Sequence, residues 1–264
     1  MSFAAATLVE TGERPYRAEI HPGWDVVGNA NGGYLLALGA RAMAAAAGQP
    51  HPVSVTAHYL SPGRPGPVTI DPQIVKSGKR LTTVRASLEA ADKPILQLLG
   101  CFGDISTIEG PERIDAHPPA LPPPEECPRM EYNPELGFPP ALMAKLDLRL
   151  HPEDANFLAG SPSGEPQLRG WLRLPDDEPL DVFALLMATD AFPPTIFNAA
   201  LPVAWSPTVE LTAHLRGIPE PGWLRCRFST RFISGGMMEE DGEVWDVTGR
   251  LVAQSRQLAL TPLG

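Results

Sequence analysis

The chain has 264 residues, of which 43% are hydrophobic, and a net charge of −10 from 21 basic and 31 acidic residues. The hydrophobic share can fill a core, which excludes wholesale disorder, and the length fits one large domain or two small ones. The acidic balance argues against a nucleic-acid or anionic-membrane partner, because both need a basic surface.

The first half of the sequence predicts one helix followed by four strands. Residues 31–48 have the length and the alanine and leucine content of a helix that ends at Gly48. This helix is apolar nearly all round, apart from Arg41, so we expect it to be buried. Turn signals then separate four alternating or β-rich segments at hairpin spacing, which are residues 53–60, 68–75, 81–89 and 95–102.

A proline-rich segment over residues 117–140 divides the chain into two nearly equal parts. Proline lacks the backbone donor and favours extended geometry, so the segment is expected to cross the surface as a semi-rigid spacer. Disorder is the alternative, although Tyr132 and Phe138 favour attachment to the folded part. The predicted division is a first domain over residues 1–110, a linker over 111–140 and a second domain over 141–264.

The second half predicts the same order of elements. Residues 142–150 and 171–174 are strand candidates, and residues 179–192 are predicted as a buried helix that ends before Pro193 and Pro194. Four further strands are predicted over residues 208–215, 224–233, 244–247 and 251–260. Each half is therefore an α+β unit in which a long buried helix covers an antiparallel sheet.

An internal repeat supports this duplication. When the sequence is shifted by 156 positions, the segment that begins at Val53 falls on the segment that begins at Val209. Six identities occur within fourteen positions, and they include His58 over His214. Together with the linker and the shared element order, the match favours duplication over chance.

Several chemistries find no support in the sequence. Cys101, Cys127 and Cys226 are far apart and form no C-x-x-C pair, which predicts a reducing, cytoplasmic compartment and argues against a disulfide framework or a cysteine zinc site. No apolar run approaches the roughly 20 residues of a membrane span, and the first residues lack the basic start of a signal peptide. The motifs of serine hydrolases, P-loop enzymes, Rossmann dehydrogenases and zinc proteases were not found.

Four segments carry a family resemblance. They are W-x-x-x-G-N-A-N-G-G-Y-L from Trp24, T-D-A-F-P-P-T from Thr189, the strand T-V-E-L-T-A-H from Thr208 and the closing strand from Gly249 to Gln257. In this order and spacing the chain resembles the double-hotdog acyl-CoA thioesterases of the thioesterase II type. The resemblance implies a tandem hotdog fold, an acyl-CoA or other acyl-thioester substrate, a place in fatty acid metabolism and no cofactor or metal.

The resemblance also implies catalytic residues, all from the second half. The family's Asp, Thr and Gln, which hold the attacking water, match Asp190, Thr208 and Gln257 in this sequence. The chain departs from the family after Thr208, where Glu210 and Leu211 stand in place of the usual Asp-His, and this bears on the substrate pocket more than on the catalytic set.

Elementary chemistry agrees with these roles. A carboxylate near the end of an apolar helix gains basicity by burial, so Asp190 can act as the base, while a hydroxyl and an amide can only orient the water. Free N–H groups at a helix start favour negative charge, so we expect Asn31, Gly32, Gly33 and Tyr34 to bind the substrate. Gly33, with Gly32 or Tyr34, would then form the oxyanion hole. A plain capping turn is the alternative.

The repeat predicts a single active site. In the 156-residue register Gln257 lies over Cys101 and Thr208 over Pro52, and neither replacement can perform the polar role. His58 and His214 share a strand face with polar threonines, so we interpret them as residues of the sheet surface. Coenzyme A would need local basic groups, for which two sets are candidates: Arg225, Arg227 and Arg231 on one strand, and Lys76, Lys79 and Arg80 at a turn.

The sequence therefore predicts a hydrolase of acyl thioesters, with two alternatives. One is a hotdog hydratase or dehydratase, which would need His58 or His214 beside Asp190. The other is an acyl-CoA-binding protein without catalytic activity. Long sheet edges and the paired-domain plan make a homo-oligomer plausible.

Overall fold

The computed structural model describes residues 1–135 and 138–262 of the chain. The first half contains two helices, α1 and α2, and eight strands, β1 to β8. In chain order they are α1 Phe3–Ala6, β1 Val9–Glu10, β2 Tyr16–Ile20, β3 Asp25–Val26, β4 Asn29–Ala30, α2 Gly32–Ala47, β5 His51–Tyr59, β6 Gly66–Ser77, β7 Thr82–Ala90 and β8 Lys93–Gly103.

Helix α2 is the element predicted over residues 31–48, and its ends follow local rules. The Asn31 side chain accepts a hydrogen bond from the backbone N–H of Tyr34 and so caps the first turn. Gly48, in the left-handed region at φ 60°, closes the last turn. The four strands predicted after it are present as β5 to β8, with bounds that extend by a few residues.

The described part of the second half contains one α-helix and seven strands. They are β9 Asp147–Leu150, β10 Gln167–Arg173, α3 Val182–Ala188, β11 Thr208–Leu215, β12 Leu224–Ser229, β13 Ile233–Ser234, β14 Met237–Trp245 and β15 Leu251–Leu260.

Five of these elements differ from their predicted extents. Strand β10 begins four residues before the predicted residue 171, and β12 ends at Ser229 rather than at residue 233. Helix α3 is shorter than residues 179–192 at both ends. The Asp181 side chain accepts from the N–H groups of Phe183 and Ala184 and so caps the start, and the last helical residue is Ala188. The strand predicted over 142–150 begins only at Asp147, after a 3-10 turn. Strand β14 begins well before residue 244, although residues 239–241 are all acidic. Arg256 compensates for this charge by pairing with Asp241 across the sheet.

The strands form one long antiparallel sheet. Its order is β1-β2-β6-β7-β8-β5-β11-β15-β14-β12-β10-β9, with β13 paired to β14, while β3 and β4 form a separate hairpin. The two halves meet where β5 pairs with β11. Helix α2 packs against β5, β6, β7 and β8, and α3 packs against β5, β11 and β15, so both helices cover the sheet.

The β5–β11 pairing has the arrangement of a two-fold contact. Thr56 pairs with Thr212, and the two hydroxyl oxygens are 2.9 Å apart. Ser54 pairs with His214, and His58 pairs with Glu210. When 156 is added to the number of Ser54 and subtracted from that of His214, the pair becomes Glu210 with His58, and the same operation converts the Thr56–Thr212 pair into itself. That reciprocity is what an isologous interface requires.

The proline-rich segment contacts the second half at several described positions. The indole N–H of Trp171 donates to the carbonyl oxygen of Pro122 at 2.9 Å, and Arg129 forms a β-bridge with Arg149. Cys127 and Met130 are buried. Two residues of the predicted linker, 136 and 137, lie outside the described part. In that part of the chain no helix has both the length and the apolar character to cross a membrane.

Helices α2 and α3 approach each other closely at Gly33. A Cβ atom placed there would lie 2.8 Å from the carbonyl oxygen of Met187 and 2.9 Å from the Cβ of Asp190. The start of α2 can therefore reach the end of α3 only because residue 33 has no side chain.

We expect Gly33→Ala to lower the free energy of unfolding by about 1–3 kcal/mol through this overpacking, despite the better helix propensity of alanine. Urea denaturation would measure the loss. Gly12→Ala is the matched control, since a Cβ there meets no atom within 4 Å. Equal stabilities of the two variants would contradict the close approach at Gly33.

Candidate active site

A cavity of about 530 Å³ lies between the start of α2, the segment after α3, and the ends of β5, β11 and β15. The proline-rich segment contributes Met130 and Phe138 to its wall. The three predicted catalytic residues, Asp190, Thr208 and Gln257, all line this cavity. The remaining surface is mostly apolar and includes Leu35, Leu142, Met143, Phe192, Phe197 and Trp205.

Asp190 follows directly after the C-terminal end of α3 and places its carboxylate at the N-terminus of α2. Its Oδ2 atom accepts from the backbone N–H of Gly33 at 2.8 Å and from the side-chain amide of Asn31 at 3.0 Å. The same amide group donates to the backbone carbonyl oxygen of Asp190 at 2.7 Å. A carboxylate from one half of the chain thus satisfies the free donors of a helix start in the other half.

Burial sets the acidity of Asp190. Desolvation raises the pKa of this carboxyl to about 6, although the hydrogen bonds from Gly33, Asn31 and the Gly32 backbone act in the opposite direction. A carboxylate with a pKa near neutrality binds a proton more readily than an exposed aspartate does. This places Asp190 in the range that suits a general base.

Thr208 and Gln257 are joined to each other. Thr208 begins β11, and its hydroxyl donates to the side-chain Oε1 of Gln257, on the neighbouring β15, at 3.3 Å. Gln257 is buried. Among the described residues no hydrogen bond links either side chain directly to Asp190.

The start of α2 does not form the oxyanion hole that we expected from Gly33 with Gly32 or Tyr34. Asn31 and Gly32 line the cavity, but Gly33 and Tyr34 do not. The N–H of Gly33 is donated to Asp190, and the N–H of Tyr34 is donated to the Oδ1 of Asn31 at 2.9 Å. These two donors are therefore already occupied, the first by the carboxylate of Asp190 and the second by the capping side chain of Asn31.

Tyr34 is a residue of the core rather than of the cavity. Its ring is fully buried and stacks on Trp24, with 5.5 Å between the ring centroids. Its hydroxyl donates to the carbonyl oxygen of Ala6 at 2.8 Å. The expectation that Tyr34 binds substrate does not fit this position.

Gly32 is required for close packing at the site. A Cβ there would lie 2.9 Å from Oδ2 of Asp190 and 2.9 Å from Cε1 of Tyr59. The hydroxyl of Tyr59 donates to the carbonyl oxygen of Gly32 at 2.9 Å, and this hydrogen bond links the start of α2 to the end of β5. Sequence reasoning did not identify Tyr59, since a tyrosine at the end of a strand has no distinctive signal.

Sequence reasoning also missed Glu240, a buried carboxylate on β14. Its Oε1 accepts from the side-chain amide of Gln257 at 3.3 Å, and its Oε2 accepts from the backbone N–H of Thr195 at 2.9 Å. Burial raises its pKa to about 7, and the charge of Asp190 adds to the effect. The alternation of β14, in which Glu240 shares a face with Met238 and Val244, is the signal that could have revealed it.

His58 and His214 are exposed, and neither lines the cavity. This agrees with their interpretation as sheet-surface residues. The Asp/His pair that a hydratase or dehydratase would need is not formed by either histidine with Asp190.

The basic residues suggested for coenzyme A lie outside the cavity lining. Arg227 pairs with Glu243 at 2.7 Å, and Arg231 pairs with Asp241 at 3.6 Å. Arg225 lies over the ring of Trp171 at 5.1 Å from its centroid. Lys76, Lys79 and Arg80 are exposed at the turn between β6 and β7. Their role toward coenzyme A stays a prediction.

Comparison with known proteins gives a consistent result. Residues 20–103 match the model of an acyl-CoA thioesterase N-terminal domain, and residues 124–261 match that of an acyl-CoA thioesterase C-terminal domain. The crystal structure of a proposed thioesterase II from Thermobifida fusca YX is similar at 34% identity and a TM-score of 0.87, over 99% of this chain and 97% of the other.

Two more distant relatives extend the comparison. A protein of unknown function with a hot dog fold from Alicyclobacillus acidocaldarius is 21% identical with a TM-score of 0.87, over 99% of this chain and 98% of the other. An uncharacterized protein of Mycobacterium tuberculosis is 28% identical over 94% of this chain and 91% of its own length. The chain described here has the hotdog fold.

The raised pKa of Asp190 gives a prediction about stability. The folded state keeps the proton up to about pH 6, whereas the unfolded chain releases it near pH 4, so ionisation of Asp190 costs stability as the pH rises between these values. We expect Asp190→Asn to exceed the wild type by about 1–3 kcal/mol in unfolding free energy at pH 8, with the difference shrinking toward pH 4.

Urea denaturation at pH 8, 6 and 5 measures the difference in unfolding free energy between the variant and the wild type. Asp147→Asn is the control, for which the difference at pH 8 should have the opposite sign. Burial opposes ionisation of Asp147, but the hydrogen bond and charge of Arg149 outweigh it and lower the pKa. The Asp147 variant should therefore be less stable than the wild type at pH 8. An Asp190→Asn protein that is also less stable there would contradict the assigned cost of the buried charge.

Proposed function

We propose a water-activating mechanism for this chain, which belongs to the acyl-CoA thioesterase family and is a thioester hydrolase. Its substrate is an acyl thioester, and we take acyl-CoA as the form it cleaves. The observation that carries the mechanism is the presence of Asp190, Thr208 and Gln257 on the wall of one largely apolar cavity.

In the proposed reaction a water molecule lies between Asp190 and the Thr208–Gln257 pair. Asp190 takes one proton from the water while the water oxygen forms a bond to the carbonyl carbon of the thioester. The tetrahedral intermediate then collapses, the carbon–sulfur bond breaks, and the thiolate leaves with the proton that Asp190 had taken. The products are a free acid and a thiol. The apolar wall of the cavity accommodates the acyl chain.

The helix start has a revised role in this mechanism. The N–H of Gly33 and the amide of Asn31 stabilise the ionised form of Asp190, and they limit the rise in pKa that burial causes. Without them the carboxylate would remain protonated at higher pH and could not accept a proton from water. Gln257 has a second amide hydrogen that it can donate to the water or to the thioester oxygen.

We infer that the chain is a double hotdog, with domains over residues 1–110 and 141–264 and a linker over 111–140. The reciprocal β5–β11 pairing supports this organisation, as do the two family models. The second family model begins at residue 124, inside the linker. A cytoplasmic location, a role in fatty acid metabolism and self-association remain predictions.

One active site in the chain is the organisation that the geometry favours. Gln257 pairs with Leu211, and the equivalent of Leu211 in the first half, Val55, pairs with Gly100. The structural counterpart of Gln257 is therefore Gly100, one residue before the Cys101 that the repeat predicts. Neither glycine nor cysteine offers an amide. A second site would lie near the start of α3. There the capping residue Asp181 forms an ion pair with Arg41 of α2 at 2.6 Å, so its carboxylate already has a partner.

The two alternatives are less well supported. A hydratase or dehydratase needs a histidine beside Asp190, and His58 and His214 are exposed outside the cavity. An acyl-CoA-binding protein without activity would not need a carboxylate held at a raised pKa on the wall of the cavity.

Asp190→Asn should reduce thiol release from acyl-CoA by at least about 100-fold, because the amide cannot take a proton from water. A thiol-detecting assay over short, medium, long and aromatic acyl-CoAs measures the loss and finds the preferred acyl group. Cys101→Ala is the control and should leave turnover unchanged. Full activity of the Asp190 variant would remove Asp190 as the base.

Thr208→Val, which keeps the shape of the side chain but removes the hydroxyl, should lower kcat by about 10- to 100-fold through loss of water orientation. Steady-state kinetics on the preferred substrate gives the value. A change confined to KM would instead assign Thr208 to substrate binding.

A further inference from the structure

Glu240 is a buried carboxylate that the hydrolysis step does not use. Only 6% of its surface is exposed, and in the described ranges no lysine, arginine or histidine lies within ion-pair distance of it. Buried carboxylates without a cationic partner are costly, and they call for an explanation. The contacts of Glu240 lead to the Gln257 side chain, with which it is directly paired across β14 and β15.

The hydrogen bonds form a directed chain. The hydroxyl of Thr208 donates to Oε1 of Gln257, and the Nε2 of Gln257 donates to Oε1 of Glu240. The Oε2 of Glu240 is held by the backbone N–H of Thr195. An ionised carboxylate can only accept hydrogen bonds, so the amide nitrogen of Gln257 must face Glu240 and its oxygen must face Thr208.

We propose that Glu240 is a positioning residue of the hydrolytic site, which fixes the amide of Gln257 in the orientation that leaves the Thr208 oxygen free to accept from the attacking water. The inference rests on the proposed function. It assigns Glu240 no contact with the substrate, in agreement with its absence from the residues that line the cavity.

Protonation of Glu240 would undo this arrangement. A neutral carboxyl carries a proton to donate, so the Gln257 amide could turn over, with its oxygen then accepting from Glu240 and its nitrogen facing Thr208. The titratable groups that act on Glu240 are Asp190, from the segment after α3, and Glu239 on its own strand, and both raise its pKa. Turnover therefore requires two ionised carboxylates, Asp190 and Glu240.

A double-mutant cycle at pH 8 tests the positioning role. Glu240→Gln keeps the shape but supplies both a donor and an acceptor, so it should lower kcat at least about 10-fold while KM changes less than about twofold. In a Gln257→Ala background the same substitution should cause no further loss, since Glu240 acts through Gln257. Glu243→Gln, on the same strand, is the control and should leave kcat unchanged.

A loss of equal size in the Gln257→Ala background, or no loss in the wild-type background, would overturn the inference. The wild-type pH profile provides a second test that does not depend on the folding of any variant. Below about pH 6 the logarithm of kcat should fall with a slope approaching two if both carboxylates must be ionised. A slope of one would assign the limb to Asp190 alone and would also overturn the role of Glu240.

The two proposals can fail separately. An active Asp190→Asn protein would overturn the hydrolytic mechanism itself. An inactive Asp190→Asn protein, combined with a wild-type slope of one and additive effects in the cycle, would leave the mechanism standing and remove only Glu240 from it.

Discussion

The site depends on one contact, between the carboxylate of Asp190 and the first turn of α2. The contact joins the two halves of the chain, because the carboxylate follows the helix of the second half and the donors belong to the helix of the first. It depends on two glycines, because a Cβ at Gly33 would clash with the backbone of α3 and a Cβ at Gly32 would clash with the side chains of Asp190 and Tyr59. Neither half could therefore assemble the site alone.

The same contact explains how the chain keeps a carboxylate basic within an apolar wall. Burial alone would push the pKa of Asp190 higher, and the N–H groups of the helix start oppose it, so the value lies near 6. We therefore expect the ionised carboxylate to lower the stability of the fold at neutral pH, as preorganised functional groups commonly do. Glu240 adds a second buried charge nearby, with a pKa raised to about 7.

Much of the fold follows from local rules that a sequence displays. The Asn31 cap, the Gly48 terminus and the apolar composition between them identify α2. The repeat of Val53 at Val209 predicts the duplication, because both copies keep the same alternation. The resemblance identifies Asp190, Thr208 and Gln257, and the structure brings all three to one cavity.

Other features were decided only by tertiary structure. The free donors of Gly33 and Tyr34 suggested an oxyanion hole, since a sequence cannot show that Asp190, far along the chain, occupies one of them. The start of α3 follows from where Asp181 caps it. The role of Glu240 depends on its pairing with Gln257 across two strands. The sequence determined the elements and the candidate catalytic groups, because both depend on local residue patterns, whereas long-range packing decided which donors and acceptors these groups share.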